Sequence, residues 1–275
     1  IYGDEALAGG FDFASDVGDQ VFYPGLGHFY RDGYREVDLV DYNTENIKAN
    51  AALHYLTKSK VEFILQSNFG YGTTVYQGEN RYSLRDVQFY QHRFEVRKKD
   101  KFFVRLYATH EDAGNSYDAV VTAFLMQNNN RPLGNEINSW NNRYFNYWST
   151  NIIGSGTGRL YQSIPNFPNY YQTGGGVDNY NIDLANSLLQ GNYDSLLVWH
   201  QLARDFANNG DGAGYFPYFA PGTYEFDTAF AGITSRPLGQ GGSRFIDRSA
   251  LYHTDVGYQF HLPQWLPDGE VQGFK

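Results

Sequence analysis

The chain has no cysteine. That excludes a disulfide framework and any metal site built on thiolates; it is compatible with an oxidising compartment. Long apolar runs are missing as well. No stretch would make a helix that crosses a bilayer, and no secretory leader is visible. Charge is sparse, at 19% of residues, and the balance is -9. Phosphate backbones need a basic stripe, so no nucleic acid is expected as a partner. Catalytic signatures are also lacking: there is no HExxH, no nucleophile elbow and no thiol. The protein is therefore not expected to be an enzyme, and no catalytic residue, cofactor or metal site is assigned. GSGTG at 154–158 does not sit between a strand and a helix, so it is no dinucleotide fingerprint. NNGDGAG at 208–214 lacks the spaced acids and distal Glu of a calcium loop, and reads as the turn that ends a helix.

What the chain does have is aromatics and glycine: 24 Tyr, 21 Phe and 30 Gly in 275 residues. With a mean hydropathy of -0.54, that composition favours β structure. The length allows one large domain or two. The start at Ile1, and the stop at Lys275 just inside a new alternating run EVQGFK, read as those of an internal part of a longer polypeptide.

Several runs alternate strictly. In 47–56, Ile47, Ala49, Ala51, Leu53 and Tyr55 take one face; Lys48, Asn50, Ala52 and His54 take the other. In 61–72, Val61, Phe63, Leu65, Ser67, Phe69 and Tyr71 oppose Glu62, Ile64, Gln66, Asn68 and Gly70, with one Ser on the greasy face and one Ile on the wet one. Tyr90, His92, Phe94 and Val96 oppose Gln91, Arg93, Glu95 and Arg97 in 87–97. Val104, Leu106 and Ala108 oppose Arg105, Tyr107, Thr109 and Glu111 in 102–112. In 249–261, Tyr252, Thr254, Val256, Tyr258 and Phe260 oppose His253, Asp255, Gly257 and Gln259.

Connectors alternate too. TKSK and KKDK are short, TTVYQGENRYSLRD is longer, about 130 residues follow Asp112, and LPQWLPDG is fairly short. Tight turns at one end and long loops at the other, with strands of about ten residues, predict strands of an outer-membrane barrel. There the greasy face meets lipid, the wet face lines a lumen, and backbone pairing demands closure. Tyr55, Phe69, Tyr71 and Phe102 suit interfacial girdles. A soluble antiparallel sandwich also alternates, but its strands are usually shorter and its connectors need not alternate in length.

Five segments carry a resemblance to a family: GYREVDLVDY (33–42), AALHY (51–55), GTTVYQGENRYSL (72–84), FFVRLYATHEDAGNSYD (102–118) and GGSRFIDRSALYH (241–253). They resemble the barrel of TonB-dependent receptors of the Bacteroidota type. The resemblance implies a 22-stranded barrel, an N-terminal plug not contained in this chain, and import of a scarce nutrient across the outer membrane. It also implies TonB, engaged by regions outside this chain, and a surface lipoprotein lid as partners. HED at 110–112 is implied to be a structural motif.

The expected fold class is thus all-β: a transmembrane antiparallel β-barrel, part of a 22-stranded one, with large extracellular loops containing short helices. Residues 1–46 are expected as an extracellular loop region leading into the first strand, 47–112 as four transmembrane strands, 113–245 as a large extracellular lid, and 246–275 as further transmembrane strands. The expected location is the bacterial outer membrane, with its lipid as a partner. The function expected is a receptor and transporter for a small-molecule, glycan or peptide substrate. The alternatives are a passive porin, or a surface β-module that binds glycan or peptide.

Candidate site residues follow from that layout. The 113–245 segment is rich in aromatics beside amides, a combination that stacks on sugars or clasps peptides. Trp140, Tyr144, Trp148, Tyr170 and Tyr171 are its candidate substrate contacts, with a small core of the lid's own as the competing use. A helix is predicted over 193–209, with Leu196, Trp199, Ala203 and Phe206 on one face, Asp194 at its start and Gly210 at its end; His200 and Arg204 are read as surface residues. A shorter helix is expected over 181–190. Glu62, Gln66, Arg93, Glu95 and Arg105 are predicted to face the lumen. A turn over 98–102 would set Glu95 opposite Arg105. A tighter one would set Arg93 there, placing like charges face to face.

Overall fold

The computed structural model describes residues 1–5, 10–78, 80–172, 176–210, 215–261 and 270–272; for 261 and 270–272 only the backbone is described. The chain divides into two compact units, Ile1–Leu39 with Val120–Ile233, and Val40–Ala119 with Thr234–Lys275.

In the first unit, β1 (Phe11–Asp12), α1 (Val17–Phe22), β2 (His28–Phe29) and α2 (Glu36–Leu39) come from the start of the chain. The Asp16 side chain accepts the Asp19 N–H and caps α1. The later segment supplies α3 (Ala119–Asn130), α4 (Trp140–Tyr147), α5 (Arg159–Ser163), α6 (Ile182–Gly191), α7 (Tyr193–Asn208) and α8 (Tyr224–Thr234). After α4 the chain widens into a π-helical turn, Trp148–Ile153, which Gly154 ends in the left-handed conformation at φ 53°. Asn181 caps α6 by accepting the Leu184 N–H at 3.0 Å.

The predicted long helix is α7. It buries Trp199, Ala203 and Ala207, a stripe at four-residue spacing. Phe206 stays at the surface, Asn192 rather than Asp194 occupies the N-cap, and Asn209 rather than Gly210 closes the far end. A shared core gathers Val21, Leu26, Phe29, Trp140, Tyr144, Trp148, Leu160 and Trp199. Phe29 stacks on Tyr144 with ring centroids 4.4 Å apart.

Buried ions tie the first 39 residues to the later helices. Arg31 pairs with Asp4 and donates to Asn128 Oδ1 at 2.9 Å and to the Arg131 carbonyl at 3.1 Å. Arg131, fully buried, donates to the carbonyls of Asn138 at 2.7 Å and Asn209 at 2.9 Å. Charges this deep persist only when each is partnered.

The second unit is a sheet of β3 (Glu45–Leu56), β4 (Val61–Gln77), β5 (Arg81–Lys98), β6 (Phe102–Asp112) and β8 (Arg248–His261), antiparallel neighbours in that order. The short β9 (Glu270–Gln272) adds to β8, and β7 (Tyr117–Asp118) pairs with the far end of β5. Both tight turns, 57–60 and 98–101, use one residue in the left-handed region, Lys60 at φ 61° and Asp100 at φ 58°. Within 113–245 the only strand among the described residues is the two-residue β7.

Two corrections follow. The chain is not all-β, nor is it a barrel. Among the described residues about 35% are helical and 33% are in strands, in a mixed class with eight helices, two sheets and no closed barrel. Period-two alternation identified the strands, but more than half of the chain carries no such pattern and packs helices round an aromatic core of its own. The number 22 came from the family likeness and closure from the need to pair every backbone amide in lipid, and no local pattern specifies either. Among the described residues β3 pairs with β4 alone, so that edge of the sheet is open.

The second correction concerns 73–86, expected as a loop. Most of it continues the β4–β5 hairpin to Gln77↔Arg81 through a register shift after Gly72. There Asp86, at φ 58°, makes a bulge that side chains satisfy. Tyr71 donates to its Oδ1 at 2.7 Å and Asn115 to its Oδ2 at 2.8 Å. Gly114 passes so close that a Cβ there would lie 2.4 Å from the Asp86 carbonyl oxygen.

Candidate functional site

The sheet has one apolar face, and it is exposed. The register aligns Leu53–Leu65–Phe94–Leu106–Thr254 as one row across five strands, and Tyr55–Phe63–Val96–Val104–Val256 as the next. Leu53 is 68% exposed, Leu65 55%, Leu106 44% and Val256 50%. The patch measures roughly 20 by 30 Å from strand spacing and rise. That is the upper limit of what soluble monomers leave in contact with water. Leaving each such side chain wet forgoes about 2 kcal/mol, so covering the face would stabilise the protein.

The opposite face is charged, and its charges interlock. The register pairs Glu95 with Arg105 and Arg97 with Phe103, the arrangement that keeps like charges apart. Glu95 is fully buried, though its face is open, because arginine stems cover it. It contacts Arg93, lies 3.2 Å from Arg105 Nε and 3.9 Å from Arg97 Nη1. Arg97 Nε donates to Glu62 at 2.7 Å, and His54 Nδ1 lies 2.9 Å from the same carboxylate. Arg105 Nη1 reaches Asp255 at 3.7 Å. An amide band follows along the strands, where Asn50 bonds Asn68, and Asn68 donates to Gln91 Oε1 at 3.0 Å. Glu62, Gln66, Arg93, Glu95 and Arg105 therefore share one face. Ile64, the apolar residue out of step with that face, lies buried among them at 4% exposure.

The five candidate aromatics do not converge on a surface. Trp140, Tyr144 and Trp148 are in the core of the helical unit. Tyr170 packs edge-on against Phe22 at 4.8 Å, and Tyr171 is at the surface. The competing use, a core for the unit itself, describes the first three.

Sequence reasoning also misplaced His200. It lies inside, stacked on Trp148 at 4.4 Å. Its Nε2–H donates to the Gly25 carbonyl at 3.0 Å, and its Nδ1 accepts from Tyr144 Oη at 2.6 Å. Both partners suit a neutral ring, and burial pushes its pKa down to about 4. Its place directly after Trp199 was the one available signal, because residue 200 flanks the buried stripe of α7. Arg204 is partly covered, and pairs with Asp32 at 3.1 Å. Residues 211–214 of NNGDGAG lie outside the described residues.

Among the described residues no group of three or more His, Asp or Glu is placed to hold a metal ion, and no helix is long and apolar enough to cross a membrane. No family model matches the chain, and neither does any curated protein or solved structure.

Proposed function

We propose that the chain is part of an outer-membrane receptor that takes up a scarce nutrient, of the TonB-dependent type its motifs resemble. One observation carries the membrane part of this reading: a five-strand apolar face left open to the surroundings, backed by a face of interlocked charges and amides. Lipid is the neighbour that would cover such a face. The charged face would then look onto water, and the helical unit would supply the body of the receptor outside the bilayer. The importing role, the engagement of TonB by other regions and a lipoprotein partner rest on the motif likeness. Of the five aromatics expected to hold a substrate only Tyr171 is exposed, so they favour no one substrate class.

The absence of cysteine makes a clean test. Single cysteines are placed at Leu53, Leu65 and Leu106, and at Gln66, Gln91 and Tyr107 on the other face. The whole polypeptide, in its native outer membrane, is treated with a water-soluble maleimide. The first set should resist labelling until detergent is added, while the second set labels without it. Equal labelling of both sets would place the apolar face against water and sink the membrane reading.

A further inference from the structure

Lysine is distributed unevenly in this chain. Five of its seven lysines, Lys58, Lys60, Lys98, Lys99 and Lys101, fall in or beside the two tight turns. The pairing of Val61 with Lys98 sets those turns side by side at one end of the sheet. Nearby arginines are neutralised, Arg97 by Glu62 and Arg105 by Glu95 and Asp255. The five lysines make no ion pair among the described residues, and the one acid within the turns is Asp100.

This end of the sheet combines two chemistries. The turns contribute the lysine heads, while Phe102, Val256 and Tyr258 end the apolar face, with Val256 50% and Tyr258 52% exposed. By register these last three belong to the apolar face, with Phe102 paired to Tyr258 and Val104 to Val256. A ligand that satisfies both halves is an anionic amphiphile whose tail can continue along the exposed face. A free anion would use only the lysines.

We propose that the lysine-bearing end of the sheet binds an acidic glycerophospholipid, its phosphate among the lysines and its acyl chains along the apolar rows. The proposal rests on the membrane reading above and adds a headgroup preference to it. Basic residues beside a bilayer select acidic lipid through charge.

The whole polypeptide is reconstituted in phosphatidylcholine vesicles with trace spin-labelled phosphatidylglycerol or phosphatidylcholine, and the immobilised fraction is measured. Phosphatidylglycerol should associate roughly fivefold more strongly, and the ratio should fall towards one in about 1 M salt, where screening is complete within a few ångströms. Replacing all five lysines by glutamine should abolish the preference. Replacing them by arginine should keep it, which separates charge from any effect on folding. Lys48→Gln should leave it unchanged. Equal association of the two lipids with the wild type overturns the proposal, as does a preference that survives the glutamine variant or is displaced by inorganic phosphate. In those cases both lipids are still immobilised and the membrane reading stands. If neither lipid is immobilised, both readings fall.

Discussion

The two units use aromatic residues differently: the helical unit builds a core on some of its own, and the sheet builds none. In the helical unit Trp140, Tyr144 and Trp148 are almost wholly buried; in the sheet Tyr55, Tyr252 and Tyr258 are more than half exposed. Charge divides as sharply. The helical unit holds 16 acids against six basic residues, a net -10, and has no lysine; the sheet unit holds 14 acids against 15 basic residues, a net +1. A unit that buries its tryptophans, Trp140, Trp148 and Trp199, and carries strong net charge is suited to water. A sheet that displays its aliphatic and aromatic residues in rows is suited to a neighbour that is not water. What surrounds a side chain, not its type, decides whether it is core.

The sharpest test of that contrast is Trp148→Ala. It should cost the helical unit about 3–5 kcal/mol through a cavity in its core, read by urea unfolding with tryptophan fluorescence, since Trp140, Trp148 and Trp199 all lie there. A loss under about 1 kcal/mol would remove Trp148 from the core. On the sheet, Leu65→Arg should cost about 2–4 kcal/mol of stability in the membrane, measured as lower assembly of the protein in the outer membrane. Normal assembly would break the contrast, because an arginine beside water costs almost nothing.

His200 offers a pH test confined to the helical unit. Its folded-state pKa of about 4 lies below the ordinary 6.5. The folded chain therefore holds fewer protons than the unfolded chain between those values, and stability is lost as pH falls through that window. The loss should be on the order of 2–3 kcal/mol. The urea midpoint of His200→Asn should be flatter than that of the wild type between pH 7 and 4. Asp32, raised by burial despite Arg204, works in the opposite sense, so the difference between the two proteins isolates the histidine. Parallel pH curves would put His200 in contact with water. The smallest effect expected is from Glu95→Gln. It replaces the shared partner of three arginines and should cost about 1–3 kcal/mol, read as a lower unfolding midpoint. Its size relative to Trp148→Ala measures how far the charged face of the sheet behaves as an interior.

The strands were legible because alternation is a local property. The runs expected at 47–56 and 102–112 are β3 and β6 to within two residues, and parity together with like-charge repulsion selected the Glu95–Arg105 register. Leu53, Leu65 and Leu106 share a face for the same reason: successive side chains in a strand must alternate. Helix α6 was legible, as were Trp199 and Ala203 of the buried stripe of α7; Phe206, read into that stripe, is at the surface and Ala207 takes its place. The joining of Ile1–Leu39 to Val120–Ile233 was not. It depends on Arg31 reaching Asp4, Asn128 and the Arg131 carbonyl, contacts between positions up to 100 residues apart that no short window contains. Nor could the sequence decide that Trp140, Tyr144 and Trp148 face inward, or that His200 lies between Tyr144 and Gly25. A helix displays residues in all directions, and only the elements packed against it determine which of them meet water. By itself the sequence determined where five strands lie, where the two tight turns fall and which strand residues share a face. Tertiary structure decided which aromatics became core, because burial depends on partners that are distant along the chain.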